Sequence, residues 1–295
     1  MATRDISAKR RFDFAAHREQ PIKPISGLKD PIIQSLRRVK TSSGRAREGL
    51  YLAEGPDLSA RAVRYGASIH ALICGEGFIQ QGQCQELIAL LNSDTPIYTC
   101  SEGMLHKCLE AKPTPPCVAL VRRVESTWAP TAFTHEQPSL YLGVDQGDNA
   151  DNLGMLLRTA EATGVSAALL SGGTVDPWGR RVVRAARGAM FSVPLALEER
   201  SIDAVQSAQS AGIQVITTSA KASHDYTQID YREPSLLIVG NEHHGIEEEV
   251  VEASDHCVLM PMLGHIHSLN IAVAASLILY EAQRQRGWVS ARISS

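Results

Sequence analysis

The chain lacks any apolar run as long as the ~18 residues that cross a bilayer. The nearest approach, SLNIAVAASLILY at 268–280, is too short and reads as a buried helix. The first twenty residues, MATRDISAKRRFDFAAHREQ, have no apolar stretch of the kind a secretory signal needs. Their acids also speak against a transit peptide. No two of the six cysteines are spaced as CxxC, so the thiols are expected to stay reduced in a cytoplasmic protein. Aromatic residues make up only 5%, yet hydrophobic residues at 44% and charged residues at 21% exclude a disordered, collagen-like or coiled-coil chain. There is no internal repeat and no GxGxxG, which makes a nicotinamide-dependent dehydrogenase a poor reading.

What is present is a chain of 295 residues, enough for two domains with a buried core. Residues 1–137 carry net charge +4 and residues 138–295 carry −7. Such asymmetry directs attention to a nucleic-acid-facing half. Within the basic half, Arg37, Arg38, Lys40, Arg45 and Arg47 follow one another with no acid among them. A solvated helix end is the ordinary explanation of such a run.

The pattern predicts an α/β protein. Residues 1–25 read as a flexible basic arm, closed by Pro21 and Pro24. Residues 26–123 alternate short strands (GLYLAEG, SIHALICG, PIYTC, VALVRR) with helices at 30–40, 56–65, 82–92 and 101–110. Residues 41–48 read as a loop. Residues 124–137 lack a period and read as a linker. From 138 to 295 the strands SLYLGVD, SAALLSG, FSVPLAL, IQVITTSA, SLLIVG and HCVLMPM are separated mostly by helices, which implies a parallel sheet with crossovers.

Three segments in the second half resist a purely structural reading. The first is DNLGMLLRTA at 151–160, where a polar loop enters a helix that carries Arg158 among apolar residues. An exposed helix arginine is its ordinary explanation. The second is GNEHHG at 240–245, directly after an apolar strand, where open α/β sheets bind ligands. A simple turn is the alternative. The third is MPMLGHIHSLN at 260–270, another strand end running into a helix. There Ser268 and Asn270 either cap the helix or bind a ligand.

In this order and spacing the three segments closely resemble the motifs of the SpoU/TrmH family. Those proteins are RNA ribose 2′-O-methyltransferases of the SPOUT superfamily. VVRAARGAMFSVPL resembles a further family segment, and YLAEGPDLSARAVRYGASIHALI resembles its RNA substrate-binding domain. The resemblance implies an L30e-like, ribosomal-protein-like N-terminal α/β domain. It also implies a C-terminal SPOUT α/β domain whose parallel sheet closes a deep trefoil knot. It further implies a homodimer, S-adenosylmethionine as cofactor and RNA as partner, with no membrane. Gly240, Met260, Met262, Gly264 and Leu269 would hold the cofactor. Asn152, Arg158, Glu242, Ser268 and Asn270 would form the catalytic set. Minor departures, such as Ala186 and Ala272 where the family often has Ser, bear on substrate detail.

The reaction displaces a methyl group from a sulfonium, so the protein must position and deprotonate a ribose hydroxyl. A guanidinium is effectively always charged. Arg158 is therefore expected to hold a phosphate or the developing alkoxide, with the proton leaving late or through a neighbour. Arg180, Arg184 and Arg187, at i, i+4 and i+7, are expected to contact RNA phosphates together with the 37–47 run. Pairing with the many acids of this half is the alternative. Ribosomal RNA is the first expectation and transfer RNA the second; a non-catalytic RNA-binding or ribosome-assembly protein is the competing class. His243, His244, His265, His267 and Cys257 suggest zinc, but their spacing fits no usual site, and no metal is expected.

Overall fold

The computed structural model describes residues 21–130, 138–266 and 268–288. They form two sheets. The first contains β1 (Ile22–Pro24), β2 (Leu50–Glu54), β3 (Ile69–Gly75), β4 (Ile97–Cys100) and β5 (Cys117–Arg122). Their order is β1-β4-β3-β5-β2, with β5 antiparallel to both its neighbours and the other pairs parallel. Alternate residues serve opposite faces. Leu72 and Cys74 of β3 join one core cluster, while Ile73 joins another. Both faces are thus buried, which explains why these strands read as continuous apolar runs.

Helices α1 (Pro31–Arg38) and α6 (Glu102–Leu109) cover one face of this sheet. Asp30 caps α1 by accepting from the Ile32 amide, with Pro31 at the first position, as the sequence predicts. The other face takes α3 (Pro56–Arg64), α4 (Glu76–Ile79) and α5 (Gly82–Leu90). Two expectations change here. Residues 22–24, counted with the arm, pair with β4 as an edge strand. Residues 42–48, read as loop, form α2 (Ser42–Glu48), because Thr41 caps its start and Gly49 ends it at φ 62°.

The second sheet contains β6 (Ser126–Thr127), β7 (Leu140–Asp145), β8 (Ala167–Ser171), β9 (Leu195–Glu198), β10 (Gln214–Thr218), β11 (His224–Asp225), β12 (Ser235–Val239) and β13 (His256–Leu259). Its order is β11-β13-β10-β12-β7-β8-β9-β6, and every pairing is parallel, as expected. Its helices are α7 (Ala150–Ala162), α8 (Arg180–Ala186), α9 (Ser201–Ser210), α10 (Glu248–Ala253) and α11 (Ile271–Gln285). Helix α8 is shorter than its pattern predicts, because Arg187 and Gly188 take left-handed φ values of 50° and 87°. Part of the expected linker is also structured. It contributes β6, and Trp128 is buried edge-on against Tyr141, with centroids 5.2 Å apart. Residues 131–137 lie outside the described residues, as does most of the basic arm.

The two sheets share a seam of ion pairs and rings. Arg45 bonds Asp176 at 2.6 Å and is 6% exposed. Arg180 pairs with Glu54 and donates to the Leu109 carbonyl at 2.7 Å. Arg61 bonds Glu161 at 2.7 Å, and the Arg123 guanidinium lies 4.0 Å over the Trp178 ring. Two of the basic residues expected at RNA phosphates are thus already engaged within the protein: Arg45 and Arg180 each have their charge paired across the seam.

Candidate active site

The C-terminal ends of β7 and β12 lie side by side, and the loops that leave them meet the start of α11. Asn149 caps α7 by accepting from the amides of Asp151 and Asn152. That places Asn152 in the first turn, buried at 6% exposure. Asn270 caps α11, its Oδ1 accepting from Ala272 at 2.9 Å and Val273 at 3.4 Å. With the oxygen so used, Nδ2 points the other way and donates both to Asn152 Oδ1 and to Glu242 Oε1, each at 2.9 Å. One amide therefore joins the three segments singled out in the sequence. Asn270 is thus both the helix cap and the link between the other two segments.

The same network fixes the orientation of Asn152. Its oxygen must face Asn270, which turns Nδ2 to the other side. That Nδ2 is buried and has no hydrogen-bond partner among the described residues. An unmet buried donor costs about 1–3 kcal/mol.

The loop after β12 is held tightly. Asn241 donates to the Gln146 carbonyl at 2.9 Å, and its side-chain oxygen accepts from the amides of His243 and His244. Gly240 is required by close approach: a Cβ there would lie 2.4 Å from the Gly245 carbonyl. Glu242 is held in this loop with its side chain exposed.

A cavity of ≈ 1130 Å³ opens here. Gly240, Glu242, Met260, Met262, Leu269 and Asn270 line it, and Ser268 lies in its wall. Gly264 is not among the residues that line it. Residues 218–223, after β10, form another part of it, as does Cys257. The sequence reading raised Cys257 only as a zinc ligand and missed residues 218–223, although the run TTSAKAS at a strand's C-terminal end was the available signal.

Arg158 is not brought to this cluster within one chain. It is exposed on α7 and does not line the cavity. Six residues of helix turn it about 120° from Asn152. Its neighbour Met155 is 39% exposed. On α11, tied to α7 by a 2.9 Å bond between Thr159 and Ser276, Val273, Leu277 and Tyr280 are 42–48% exposed. Arg158 thus stands beside an uncovered apolar face.

Of the remaining basic candidates, Arg37, Arg47, Arg184 and Arg187 are exposed. Arg38 is paired with Glu48 at 2.6 Å and Lys40 with Glu110 at 3.0 Å. No group of three or more metal-ligating side chains gathers among the described residues; His267 lies outside them.

A model of the SpoU rRNA Methylase family matches residues 139–280. The 23S rRNA (guanosine(2553)-2′-O)-methyltransferase RlmP of Bacillus subtilis is 26% identical over 88% of this chain and 98% of that enzyme. The tRNA (guanosine(18)-2′-O)-methyltransferase of Escherichia coli is 35% identical over 52% of this chain and 67% of that enzyme. The crystal structure of the SpoU methyltransferase AviRb from Streptomyces viridochromogenes in complex with AdoMet shares 26% identity. It aligns with a TM-score of 0.79, over 88% of this chain and 98% of that one. Fold, cavity and relatives together define an RNA 2′-O-methyltransferase that uses S-adenosylmethionine. The chain belongs to the SpoU family.

Proposed function

We propose that this enzyme methylates a ribose 2′-hydroxyl of ribosomal RNA in the cytoplasm, acting as a homodimer. The observation that carries the reading is the Asn270 amide. It binds Asn152 and Glu242 together at the cavity lip and leaves one buried donor unmet. Among the described residues no helix is long and apolar enough to cross a membrane.

The cavity's residues fit the cofactor. Backbone groups at Gly240, Met260 and Leu269 would hold it, with Met262 beside them. When bound, the cofactor supplies an electrophilic methyl on a sulfonium. Asn152 acts from behind the cavity wall, its Oδ1 accepting from Asn270 Nδ2 and so fixing the side chain that faces the cavity. Ser268, exposed in the wall, gives a polar contact. The partner's Arg158 crosses the apolar α7/α11 face and stabilises the developing alkoxide or the adjacent phosphate. The proton leaves late, towards solvent or the Glu242 carboxylate. The exposed Arg37, Arg47, Arg184 and Arg187 position the RNA backbone without reading its sequence.

Residues 26–123 serve as the RNA substrate-binding domain, L30e-like in its mixed sheet, and residues 138–295 as the methyltransferase domain. We also assign a trefoil knot to the latter. Its support is the position of β13 between β10 and β11, inside the loop of chain that runs from β10 to β12. Relatives named for both ribosomal and transfer RNA support RNA as the substrate class. RlmP, a relative matched over nearly its full length, is a 23S enzyme, and this favours ribosomal RNA.

The test is methyl transfer from labelled S-adenosylmethionine into unmodified ribosomal and transfer RNA, read as alkali-resistant dinucleotides. Label in ribosomal RNA, absent with Arg158→Ala, is expected. Arg158→Lys would retain activity only if charge without the planar fork suffices. Label in transfer RNA alone would overturn the substrate assignment. Cofactor binding with no transfer to either would point to a different RNA substrate such as an assembly intermediate; neither transfer nor cofactor binding would leave a non-catalytic RNA-binding protein.

A further inference from the structure

Beneath the Glu242 loop lies a buried carboxyl group that the chemistry above does not use. Asp145 ends β7 and is 1% exposed. Its Oδ1 accepts from the Ser201 hydroxyl, which lies 2.6 Å from the Ser171 hydroxyl. Its Oδ2 accepts from the Glu247 amide at 3.3 Å. No Lys, Arg or His pairs with it among the described residues. A buried carboxyl without a cation is costly. Its donors instead come from the N-terminal ends of α9 and α10, since Ser201 opens α9 and Glu247 immediately precedes α10.

One more costly feature sits at the same place: Gln146 takes a left-handed φ of 51°, beside Gly172 at 66°, a value glycine adopts freely. A Cβ on Gly172 would lie 2.7 Å from Gln146 Cγ and 2.9 Å from Asp145 Oδ1. Strain kept in a fold tends to mark a position that the surroundings hold for a purpose.

What they hold together is the junction between β7 and the 240–247 loop. The Gln146 carbonyl accepts from the Asn241 side chain at 2.9 Å. The Gln146 side chain donates to the Glu247 carboxylate, and Asp145 takes the Glu247 amide. The loop is therefore gripped at both ends, at Asn241 and at Glu247, with Glu242 between them. Gly240, just before the first grip, is part of the cavity wall.

We infer that Asp145 is a positioning residue for the cofactor site, setting the 240–247 loop so that Gly240 and Glu242 stand at the right height in the cavity wall. The inference rests on the cavity being the S-adenosylmethionine site. It assigns Asp145 no contact with cofactor or RNA; it acts through the Glu247 amide.

The experiment measures the Kd of S-adenosylmethionine by calorimetry for the full chain and four variants, each checked for folding by circular dichroism. Asp145→Ala is expected to weaken binding about tenfold or more, the size of effect typical when an outer-shell partner is removed. Asp145→Asn keeps an acceptor for the Glu247 amide and should recover most of that loss. Ser201→Ala removes the bond on the other oxygen, away from the loop. It should lower the Tm and leave Kd unchanged. Wild-type Kd in a folded Asp145→Ala protein would overturn the inference. So would a Ser201→Ala protein that binds as weakly as Asp145→Ala, because general destabilisation would then explain both. If Asp145→Ala does not fold, Gln146→Ala carries the test, since it removes the next bond to Glu247; unchanged Kd there overturns the inference equally. Failure of the wild-type chain to bind the cofactor would instead overturn the underlying assignment of the cavity.

Discussion

Asn270 does two jobs with one side chain, and the two can be separated. Its oxygen caps α11, while its NH₂ joins Asn152 to Glu242. Asn270→Asp keeps an oxygen for the cap but removes both donors and puts a second carboxylate against Glu242. We expect a Tm close to wild type and a large loss of methyl transfer. Asn270→Ala should also lose about 1 kcal/mol of stability with the cap, measurable by urea denaturation. Cysteine reactivity gives an independent view of the cavity. Burial pushes Cys100 up to about 11 and also raises Cys108. A hydrogen bond with Cys117 raises Cys74, and one with Cys74 raises Cys84. Buried thiols held protonated react slowly. Cys257, half-buried in the cavity wall, should be the site alkylated in the native protein, and S-adenosylmethionine should protect it. Mass spectrometry after maleimide treatment reads both outcomes; labelling of Cys257 unaffected by cofactor would place the ligand elsewhere. At this scale the sequence showed which residue types were unusual for their positions. It did not show that Asn152 and Asn270, 118 residues apart, share a hydrogen bond. That contact depends on the crossovers, which local spacing does not encode.

At the scale of elements, the regular alternation made the parallel sheet legible, because strands buried on both faces and amphipathic crossover helices leave distinct periods. Short elements were not legible. The two-residue strand β11 and the six-residue helix α10 are too brief to show a period; β11 forms by pairing with β13, and α10 by packing against α9. Helix α8 fails for a different reason: its apolar pattern continues past Ala186, but the backbone turns left-handed at Arg187 and Gly188. This turn separates Arg187 from the basic face that spacing alone predicts. The contact between α7 and α8 offers a sharp test of packing. A Cβ on Gly154 would lie 2.3 Å from Ala185 Cβ and 2.8 Å from the Ala186 amide. Neither neighbour is a flexible chain end, so the helices must separate. Gly154→Ala should therefore destabilise the protein by about 1–3 kcal/mol despite the higher helix propensity of alanine. A urea midpoint equal to or above wild type would show that α7 shifts without cost.

For the whole molecule, the charge asymmetry between the halves has a partly internal use. Arg45 and Arg61 from the basic half pair with Asp176 and Glu161 from the acidic half, so some of the charge that suggests an RNA-facing surface fixes the seam instead. The single chain also leaves an apolar face uncovered. Met155, Val273, Leu277 and Tyr280 are exposed near Arg158, and Arg158 does not line the cavity. A two-fold contact through this face would cover the apolar surface and carry each Arg158 towards the other chain's cavity. Mixed dimers distinguish this arrangement from one in which Arg158 serves its own chain. Arg158→Ala and Asn270→Asp proteins should each be inactive. Unfolded together and refolded, they form mixed dimers in which one site has both Asn270 and the partner's Arg158, and the other has neither. Activity should return to about a quarter of wild type, because half the dimers are mixed and each has one intact site. If Arg158 acted within its own chain, every site in the mixture would carry one defect, and no activity would return. Leu277→Glu should give the complementary result: monomers by sedimentation and no methyl transfer, with the cofactor cavity still formed.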